Sequence, residues 1–325
     1  MKIELSKKLT ALFALFLAVT ISVSSQTRNE VVEVYNSAID LIDTDIKAAI
    51  EQMERAIEMA EVLGEEGMEV KEMAEVQLPG LYYDMSLGLA RAGETDEAIE
   101  GFEKTIEVSD MYDDPESRQR SENILHQLYF SKGNNLQREN ENEAALEFFD
   151  KALEINPQYA RAYLGKGLVF RRLEQTEDFR EAMDAAIEYG LQTNDEQIVN
   201  TAERTARDYF IVRGARAKSN NEFDRALEYL RSSLNYDSNF PETHYILATI
   251  HNEQGNHGEA VKSAERAIDV SDGTAEEKAK YYFELGKAYM ELGNNSAACS
   301  AFSNAEHGSY AESARYHMDH VLNCQ

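Results

Sequence analysis

Small and apolar side chains recur at regular intervals in residues 144–167, AALEFFDKALEINPQYARAYLGKG. Ala145, Phe149 and Ala152 are four and three residues apart, a spacing that places side chains on one face of an α-helix. Pro157 follows five residues later, where it ends a helix because it has no backbone N–H to donate. After the proline the same kind of spacing begins again. The pattern predicts two helices joined by a short turn.

The arrangement recurs in seven units along nearly the whole chain. Small residues hold the eighth, twentieth and twenty-seventh positions of a unit, and large residues hold the fourth, eleventh and twenty-fourth. In the unit that begins at His126 the matching residues are Tyr129, Gly133, Leu136, Ala145, Phe149, Ala152 and Pro157. In the unit that begins at Ala279 they are Tyr282, Leu285, Gly286, Tyr289, Ala298, Phe302 and Ala305. The pattern resembles the tetratricopeptide repeat, which is about 34 residues long.

The resemblance implies an all-α fold, a right-handed superhelical solenoid of antiparallel helix pairs that occupies residues 26–325. Three polar segments, 64–78, 113–125 and 194–206, lie between units and have helical character, so we expect each to lengthen the first helix of the next repeat. The chain then ends in an amphipathic capping helix, because the last hairpin would otherwise expose its apolar face. The expected repeats and cap lie near 30–63, 79–112, 126–159, 160–193, 207–240, 241–274, 279–312 and 312–324.

Composition agrees with a folded helical protein. Hydrophobic residues make up 43% of the 325 residues, charged residues make up 28%, and there are only 4 prolines. The formal net charge is −28, so nucleic acid and anionic membrane surfaces would repel the chain, and neither is expected as a partner.

The N-terminus has the features of a signal peptide. Lys2, Lys7 and Lys8 precede an apolar run at 9–23, and small residues suit cleavage after Ser25. The run is shorter than the ~20 residues that span a bilayer as a helix. We therefore expect residues 1–25 to be a cleaved signal peptide and the product to be periplasmic or secreted, without stable membrane insertion. A retained anchor is the alternative.

Catalytic motifs are missing from the sequence. There is no G-x-S-x-G, H-E-x-x-H, P-loop or G-x-G-x-x-G pattern. With 60 acidic residues, pairs of carboxylates are better explained as solvated helix faces. His317 and His320 lie three residues apart, but packing explains them better than a metal does. We expect no enzyme activity, no cofactor and no metal.

The two cysteines, Cys299 and Cys324, fall on the second helix of the last repeat and at the end of the cap. Those helices should pack antiparallel and bring the cysteines to similar heights, so a disulfide is expected in an exported protein. Two unpaired thiols are the alternative.

In tetratricopeptide proteins the first helix of each repeat lines a groove with its second, fifth, ninth, twelfth and thirteenth residues. Here these positions would hold Phe130, Asn134, Gln137, Arg138, Arg161, Leu164, Leu168, Arg171, Arg172, Ile211, Ala215, Lys218, Tyr245, Thr249, Asn252, Phe283, Lys287 and Met290. Basic residues outnumber acidic ones in the middle of this set, and apolar and amide residues lie between them. The set suits an extended peptide, because the amide side chains can bind the peptide backbone and the arginines can bind the peptide's carboxylates. The alternative is that the arginines pair with neighbouring glutamates.

The resemblance therefore implies a non-catalytic scaffold, exported from a bacterial cytoplasm, that binds a partner protein or an extended, acidic peptide. An accessory or regulatory subunit of a cell-envelope assembly, or of a polysaccharide- or lipid-processing complex, is the alternative. The sequence gives no indication of oligomeric state.

Overall fold

The computed structural model describes residues 27–324, which contain fifteen α-helices and no β-strand. The proposed signal peptide and its cleavage site lie outside this range. No helix within it is long and apolar enough to cross a membrane. The helices are α1 Arg28–Leu41, α2 Ile46–Leu63, α3 Met68–Ala92, α4 Thr95–Met111, α5 Pro115–Glu139, α6 Asn142–Ile155, α7 Ala160–Arg172, α8 Thr176–Gln192, α9 Glu196–Ser219, α10 Phe223–Tyr236, α11 Pro241–Glu253, α12 His257–Val270, α13 Ala275–Glu291, α14 Asn295–Asn304 and α15 Ala311–Tyr316.

The chain divides into two compact units, which meet in sequence between Pro157 and Gln158. Unit 1 contains three helix hairpins, α1–α2, α3–α4 and α5–α6, and unit 2 contains four, α7–α8, α9–α10, α11–α12 and α13–α14. Within each unit the second helix of a hairpin also packs against the first helix of the next. The all-α fold of stacked helix pairs is thus confirmed, while the repeat boundaries remain sequence-based predictions.

The three long first helices are confirmed as well. Helices α3, α5 and α9 have 25, 25 and 24 residues, against 13 or 14 for several others. Each begins within one of the polar segments expected to lengthen it. Pro79 lies inside α3 without ending it.

Four hairpins close through a glycine at the eighth position of the repeat, which faces the large residue at the twenty-fourth. A Cβ built on Gly133 would lie 2.7 Å from the Phe149 ring, and one on Gly286 would lie 2.8 Å from the Phe302 ring. Gly167 and Gly214 face Met183 and Leu230 in the same way. Gly133 and Gly286 are required because each faces a buried aromatic ring more closely than a Cβ atom allows.

Because of this packing, replacing glycine by alanine should lower the stability at one position and raise it at another. Gly133→Ala should destabilise unit 1 by about 1–3 kcal/mol, because the buried Phe149 ring cannot move away from the added methyl group. Gly88→Ala on α3 is the control: its Cβ would have nothing within 4 Å, so the higher helix propensity of alanine should stabilise the unit by about 0.5–1 kcal/mol. Urea unfolding of both variants tests the contrast. Equal shifts for the two variants would contradict the packing role of Gly133.

Adjacent hairpins are joined by tyrosine–carboxylate hydrogen bonds. In each case a tyrosine hydroxyl on the first helix of a hairpin donates to a glutamate on the second helix of the preceding hairpin, at 2.6 Å for Tyr82 and 2.7 Å for Tyr289. Burial, together with the hydrogen bond to the glutamate, raises the pKa of Tyr82, so it remains a donor at neutral pH. The pairs are Tyr82–Glu54, Tyr129–Glu103 and Tyr289–Glu265.

The C-terminal cap is more irregular than the single helix predicted from the sequence. It consists of a 3₁₀ turn at Gly308–Tyr310, the short helix α15 and a π-helix at His317–Leu322. The wider π-helical turn brings the His317 ring parallel to the Phe302 ring of α14, with centroids 4.7 Å apart. A disulfide between Cys299 of α14 and Cys324, whose Cα atoms are 5.8 Å apart, ties the end of the cap to the last hairpin.

Candidate functional site

The groove residues predicted in unit 1 all lie on α5. Phe130 packs 5.9 Å from the Phe149 ring, and Asn134 and Gln137 are half-buried on the same helix. Arg138 is exposed in the last turn of α5. The candidate sites described below belong to unit 2.

Leu164 is a correction to the predicted groove. The sequence places it among the apolar residues of the groove, but it is 9% exposed and belongs to the core that also contains Phe179 and Phe210. Leu168 is partly buried against the same core. A leucine beside an aromatic core gains more from burial than from facing solvent, so neither residue is an exposed anchor.

Four arginines of unit 2 line cavities beside Glu174, which lies in the turn between α7 and α8. Arg171 is in the last turn of α7, Arg213 and Arg216 are on α9, and Arg225 is in the first turn of α10. They line two adjoining cavities, of about 200 and 340 Å³, that share Glu174, Arg213 and Arg216. We call these four residues the arginine cluster.

Glu174 is the carboxylate that two of these arginines share. Its oxygens lie 3.6 Å from Arg213 Nη1 and 3.9 Å from Arg216 Nη1, and its backbone is held in the left-handed region at φ 60°. Arg213 is positioned further by its Nε, which donates to the Tyr209 hydroxyl at 3.2 Å. Arg216 is 70% exposed. Pairs this long and this exposed contribute little, so an incoming carboxylate can compete with Glu174 for the two guanidinium groups.

Arginines outnumber acidic residues in the linings of these two cavities, although the chain as a whole is acidic. The cavity linings contain four arginines against Glu174, Asp208 and Glu222, and Asp208 is already bound at 2.7 Å by Arg207. Arg225 donates to Glu222 at 3.2 Å and to the Tyr229 hydroxyl at 3.3 Å. The two linings together therefore contain one more basic than acidic side chain.

Another cavity, apart from the two beside Glu174, lies at the C-terminal end of unit 2. It has a volume of about 480 Å³ and is lined by residues of α11, α12, α13 and the cap, among them Asn252, Phe283, Lys287, Met290 and His317. We call it the C-terminal cavity. Asn252, Phe283, Lys287 and Met290 are residues predicted for the groove, and the structure brings them together here.

One wall of the C-terminal cavity is backed by a buried carboxylate. Glu284 is 7% exposed and accepts hydrogen bonds from Asn252 Nδ2 at 2.9 Å and from Lys287 Nζ at 3.0 Å. The side-chain oxygen of Asn252 lies 3.3 Å from Nδ1 of His257. Asn252 and Lys287 are thus held in fixed orientations by a hydrogen-bonded network.

His317 forms an aromatic wall of the same cavity. Its ring stacks on Phe302 and meets the edge of Phe283 at 5.7 Å. Burial, with a smaller effect from the charge of Lys287, lowers the pKa of His317 below its ordinary value, so the ring is neutral at pH 7.

Within 27–324 there is no group of three or more His, Cys, Asp or Glu side chains placed to hold a metal ion. The arginine cluster and the C-terminal cavity contain binding groups, namely guanidinium groups, an amide, an ammonium group and aromatic walls. Their arrangement can hold a ligand, and it pairs no nucleophile with a base.

Solved structures with similar folds include YrrB, described as a tetratricopeptide repeat protein with an unusual peptide-binding site. It is 23% identical over 60% of this chain and 88% of its own, with a TM-score of 0.33. PilW, a type IV pilus biogenesis factor, is 19% identical over 73% of this chain and 98% of its own, with a TM-score of 0.31. A tetratricopeptide repeat protein from Parabacteroides merdae is 17% identical over 88% of this chain and 96% of its own, with a TM-score of 0.28. No match was found among curated proteins. None of these similarities is close enough to carry a function to this chain.

Comparison of the sequence with protein-family models identifies the family. Residues 130–195, 213–276 and 279–305 match tetratricopeptide repeat families. The chain is a tetratricopeptide repeat protein. The matched segments contain the glycine–aromatic and glycine–aliphatic contacts that close the hairpins of α5–α6, α7–α8, α9–α10 and α13–α14.

Repeat positions explain which arginines the sequence identified and which it missed. Of the groove arginines predicted on α7, Arg161 and Arg171 are about 15 Å apart along the helix, and Arg161 Nη2 pairs with Asp195 at 3.3 Å. Of the three, only Arg171 lines the cluster cavities. Arg213 and Arg216 hold the seventh and tenth positions of their repeat, which the groove rule does not include. Their proximity in sequence to Arg207 and Lys218 gave the only signal of a basic stretch.

Two further predicted groove residues of unit 2, Lys218 and Tyr245, have partners within the unit. Lys218 pairs with Glu253 at 2.7 Å, and the Tyr245 hydroxyl lies 3.3 Å from that of Tyr310. Lys280 Nζ lies 5.0 Å from the centre of the Tyr245 ring. Among the predicted groove arginines, Arg161 pairs with an acidic residue, the aspartate Asp195, and the predicted groove lysines Lys218 and Lys287 pair with Glu253 and Glu284.

Proposed function

We propose that this protein is a non-catalytic protein-binding scaffold whose arginine cluster binds an acidic, extended segment of a partner. Tetratricopeptide repeats are an interaction fold, and the chain belongs to that family. The observation that supports the ligand's chemistry is that Arg171, Arg213 and Arg216 line one cavity, where the carboxylate of Glu174 lies 3.6 Å from Arg213 and 3.9 Å from Arg216.

The guanidinium group suits this task for geometric reasons. Its planar set of N–H donors matches both oxygens of a carboxylate, and such bidentate contacts are stronger than neutral hydrogen bonds. Arg213 is only 17% exposed and already oriented by Tyr209, so little side-chain freedom is lost when a ligand binds. Arg171 and Arg216 are exposed and can close on the ligand from either side. Exposed Val212, on the same cavity, adds an apolar contact.

Charge reversal of two exposed arginines of the cluster tests the proposal. The double variant Arg171→Glu, Arg216→Glu should bind a fluorescein-labelled hexaglutamate peptide about tenfold or more weakly than the wild type, because two attractive contacts become repulsive. The control Arg204→Glu, Arg231→Glu makes the same change in net charge at exposed positions of α9 and α10 outside the cluster. Fluorescence anisotropy at low and moderate salt gives the affinities.

The control separates local contacts from the overall field of the protein. If both double variants lose the same affinity, the effect is one of net charge, and the arginine cluster is not the binding site. Circular dichroism should be unchanged in both, since the replaced side chains are exposed.

We also propose that the protein is exported and matures at Gln26. The support is sequence alone: three lysines, the apolar run and the small residues before Gln26. N-terminal sequencing of the full chain expressed in a bacterium should find Gln26 in the periplasmic or secreted fraction. Leu15→Arg, which interrupts the apolar run, should keep the precursor in the cytoplasm with Met1 present. Wild-type protein with an intact Met1 in the soluble cytoplasmic fraction would rule out this proposal.

A further inference from the structure

The mouth of the C-terminal cavity has a charge opposite to that of the arginine cluster. Two glutamates, Glu253 and Glu291, lie on the lining at the last residues of α11 and α13. Both hold the thirteenth position of their repeats, so the repeat geometry places them at corresponding points of neighbouring first helices, which contact each other. Carboxylates at the mouth favour a cationic ligand over an anionic one.

Of these two glutamates, Glu253 has a basic partner and Glu291 has none among residues 27–324. Glu253 is bound by Lys218 at 2.7 Å. Lys287, the one cation of the lining, is bound by both carboxylate oxygens of Glu284, at 3.1 and 3.0 Å. Glu291 is exposed and has no ion-pair or hydrogen-bond partner among residues 27–324. An anion entering the cavity would have to displace Glu284 from Lys287, whereas a cation finds Glu291 available.

The walls behind Glu291 suit the stem of a long side chain. Phe283 and His317 provide aromatic surfaces at 5.7 Å from each other, and Met290 provides a flexible thioether. Methylene groups of lysine or arginine pack against such surfaces while their charged head groups stay near solvent. Aromatic faces also attract cations within about 6 Å of the ring centre. The volume, about 480 Å³, accommodates one such side chain with its flanking backbone.

We propose that the C-terminal cavity binds a basic side chain, arginine or lysine, from a partner's extended segment, with Glu291 as the residue that selects the charge. The proposal extends the scaffold function to a second site and rests on that function only in that the ligand belongs to a protein chain. The net charge of −28 acts in the same direction, because it raises the local concentration of basic segments around the protein.

A peptide pair that differs only in charge tests this directly. The probe is the blocked peptide Gly-Ser-Gly-Arg-Gly-Ser-Gly, and its twin carries citrulline, which keeps the shape of arginine but is neutral. Binding is followed by NMR through the methyl group of Met290 and the imidazole of His317, since a single anchored side chain binds with a dissociation constant on the order of millimolar. The arginine peptide should shift both signals and bind about fivefold or more tightly than the citrulline peptide.

Two variants identify the residue responsible. Glu291→Gln should bind the arginine and citrulline peptides with about equal affinity, because the amide keeps the size of the side chain and removes its charge. Glu312→Gln, an exposed glutamate on the cap helix α15, makes the same change in net charge and should keep the preference. Both positions are exposed, so both variants should fold.

The outcomes separate this site from the arginine cluster. Equal affinity for arginine and citrulline, tighter binding of a leucine or glutamate twin, or no shift with the arginine peptide would each overturn the proposal, as would an unchanged preference in Glu291→Gln. Arg171→Glu, Arg216→Glu should leave arginine-peptide binding intact even if it abolishes binding of the hexaglutamate probe. Loss of hexaglutamate binding alone therefore bears on the first site, and loss of arginine preference alone bears on the second.

Discussion

Replacing Phe179 by alanine should destabilise unit 2 by about 3–5 kcal/mol, although alanine is the residue that the repeat usually places there. Phe179 is fully buried on α8 and its ring lies 4.1 Å from Tyr209 and 6.0 Å from Phe210. Here the larger ring fills space between two hairpins that a small residue would leave empty. Restoring the usual alanine therefore opens a cavity, because Tyr209 and Phe210 are held by other contacts.

Those contacts explain why the cavity would not collapse. Phe210 is fully buried and stacks on Tyr236 with ring centres 5.9 Å apart, and the guanidinium group of Arg180 lies 5.0 Å from the centre of its ring. The Tyr209 hydroxyl lies 2.9 Å from that of Thr176 and accepts from Arg213. Movement of these rings into the space of Phe179 would break several interactions at once.

Urea unfolding measures the effect, with Phe179→Leu as the matched control. Leucine keeps most of the apolar volume, so its cost should be about 1.5 kcal/mol or less. Equal stability of the wild type and Phe179→Ala would show that the usual alanine suits this hairpin and that the aromatic contacts contribute nothing. Since Tyr209 also orients Arg213, Phe179→Ala should weaken hexaglutamate binding too, whereas Phe179→Leu should affect it less.

Features that depend on residues close in sequence could be predicted. The contact between Gly133 and Phe149 joins residues that are sixteen apart, and the same interval relates Gly286 and Phe302. Such contacts within one hairpin leave a pattern of small and large residues, from which both the repeat and the helix pairs follow. The long first helices were predictable for the same reason, because their helical character continues without interruption into the polar segments.

Features that depend on which way a side chain points across hairpins could not be predicted. Arg171 and Arg216 are in different repeats, and their proximity to Glu174 depends on a left-handed residue in the turn between α7 and α8. A rule that assigns fixed helix positions to a groove cannot include a turn residue. The same rule placed Leu164 in solvent, where the aromatic content of the neighbouring core decided the outcome instead.

The cap shows both kinds of result in one element. Amphipathic spacing predicted that residues 312–324 pack on the last hairpin, and Ala314 is buried there. The change to a π-helix at His317, which turns the ring onto Phe302 and into the wall of the C-terminal cavity, has no local sequence signal. It follows from the fit of the cap against α13 and α14.

Removing the disulfide should loosen this cap and the cavity wall together. Cys299 and Cys324 are 25 residues apart, and the closure of a loop of that length stabilises a folded domain by roughly 2–4 kcal/mol through the unfolded state. The variant Cys299→Ser, Cys324→Ser should lose about that much, with the loss confined to the region that the bridge closes. Hydrogen exchange should therefore increase in α14 and the cap, while α7 to α10 keep their protection.

Reduction of the wild type provides the matched control for that variant. A dithiol reductant should lower the stability of the wild type to that of the double variant and leave the double variant unchanged. Labelling of denatured, unreduced wild type should detect no free thiol. Two labelled thiols in oxidised material would contradict the bridge. Because His317 forms a wall of the C-terminal cavity, the double variant should also bind the arginine peptide more weakly, and unchanged binding would show that the cap stays in place without the bridge.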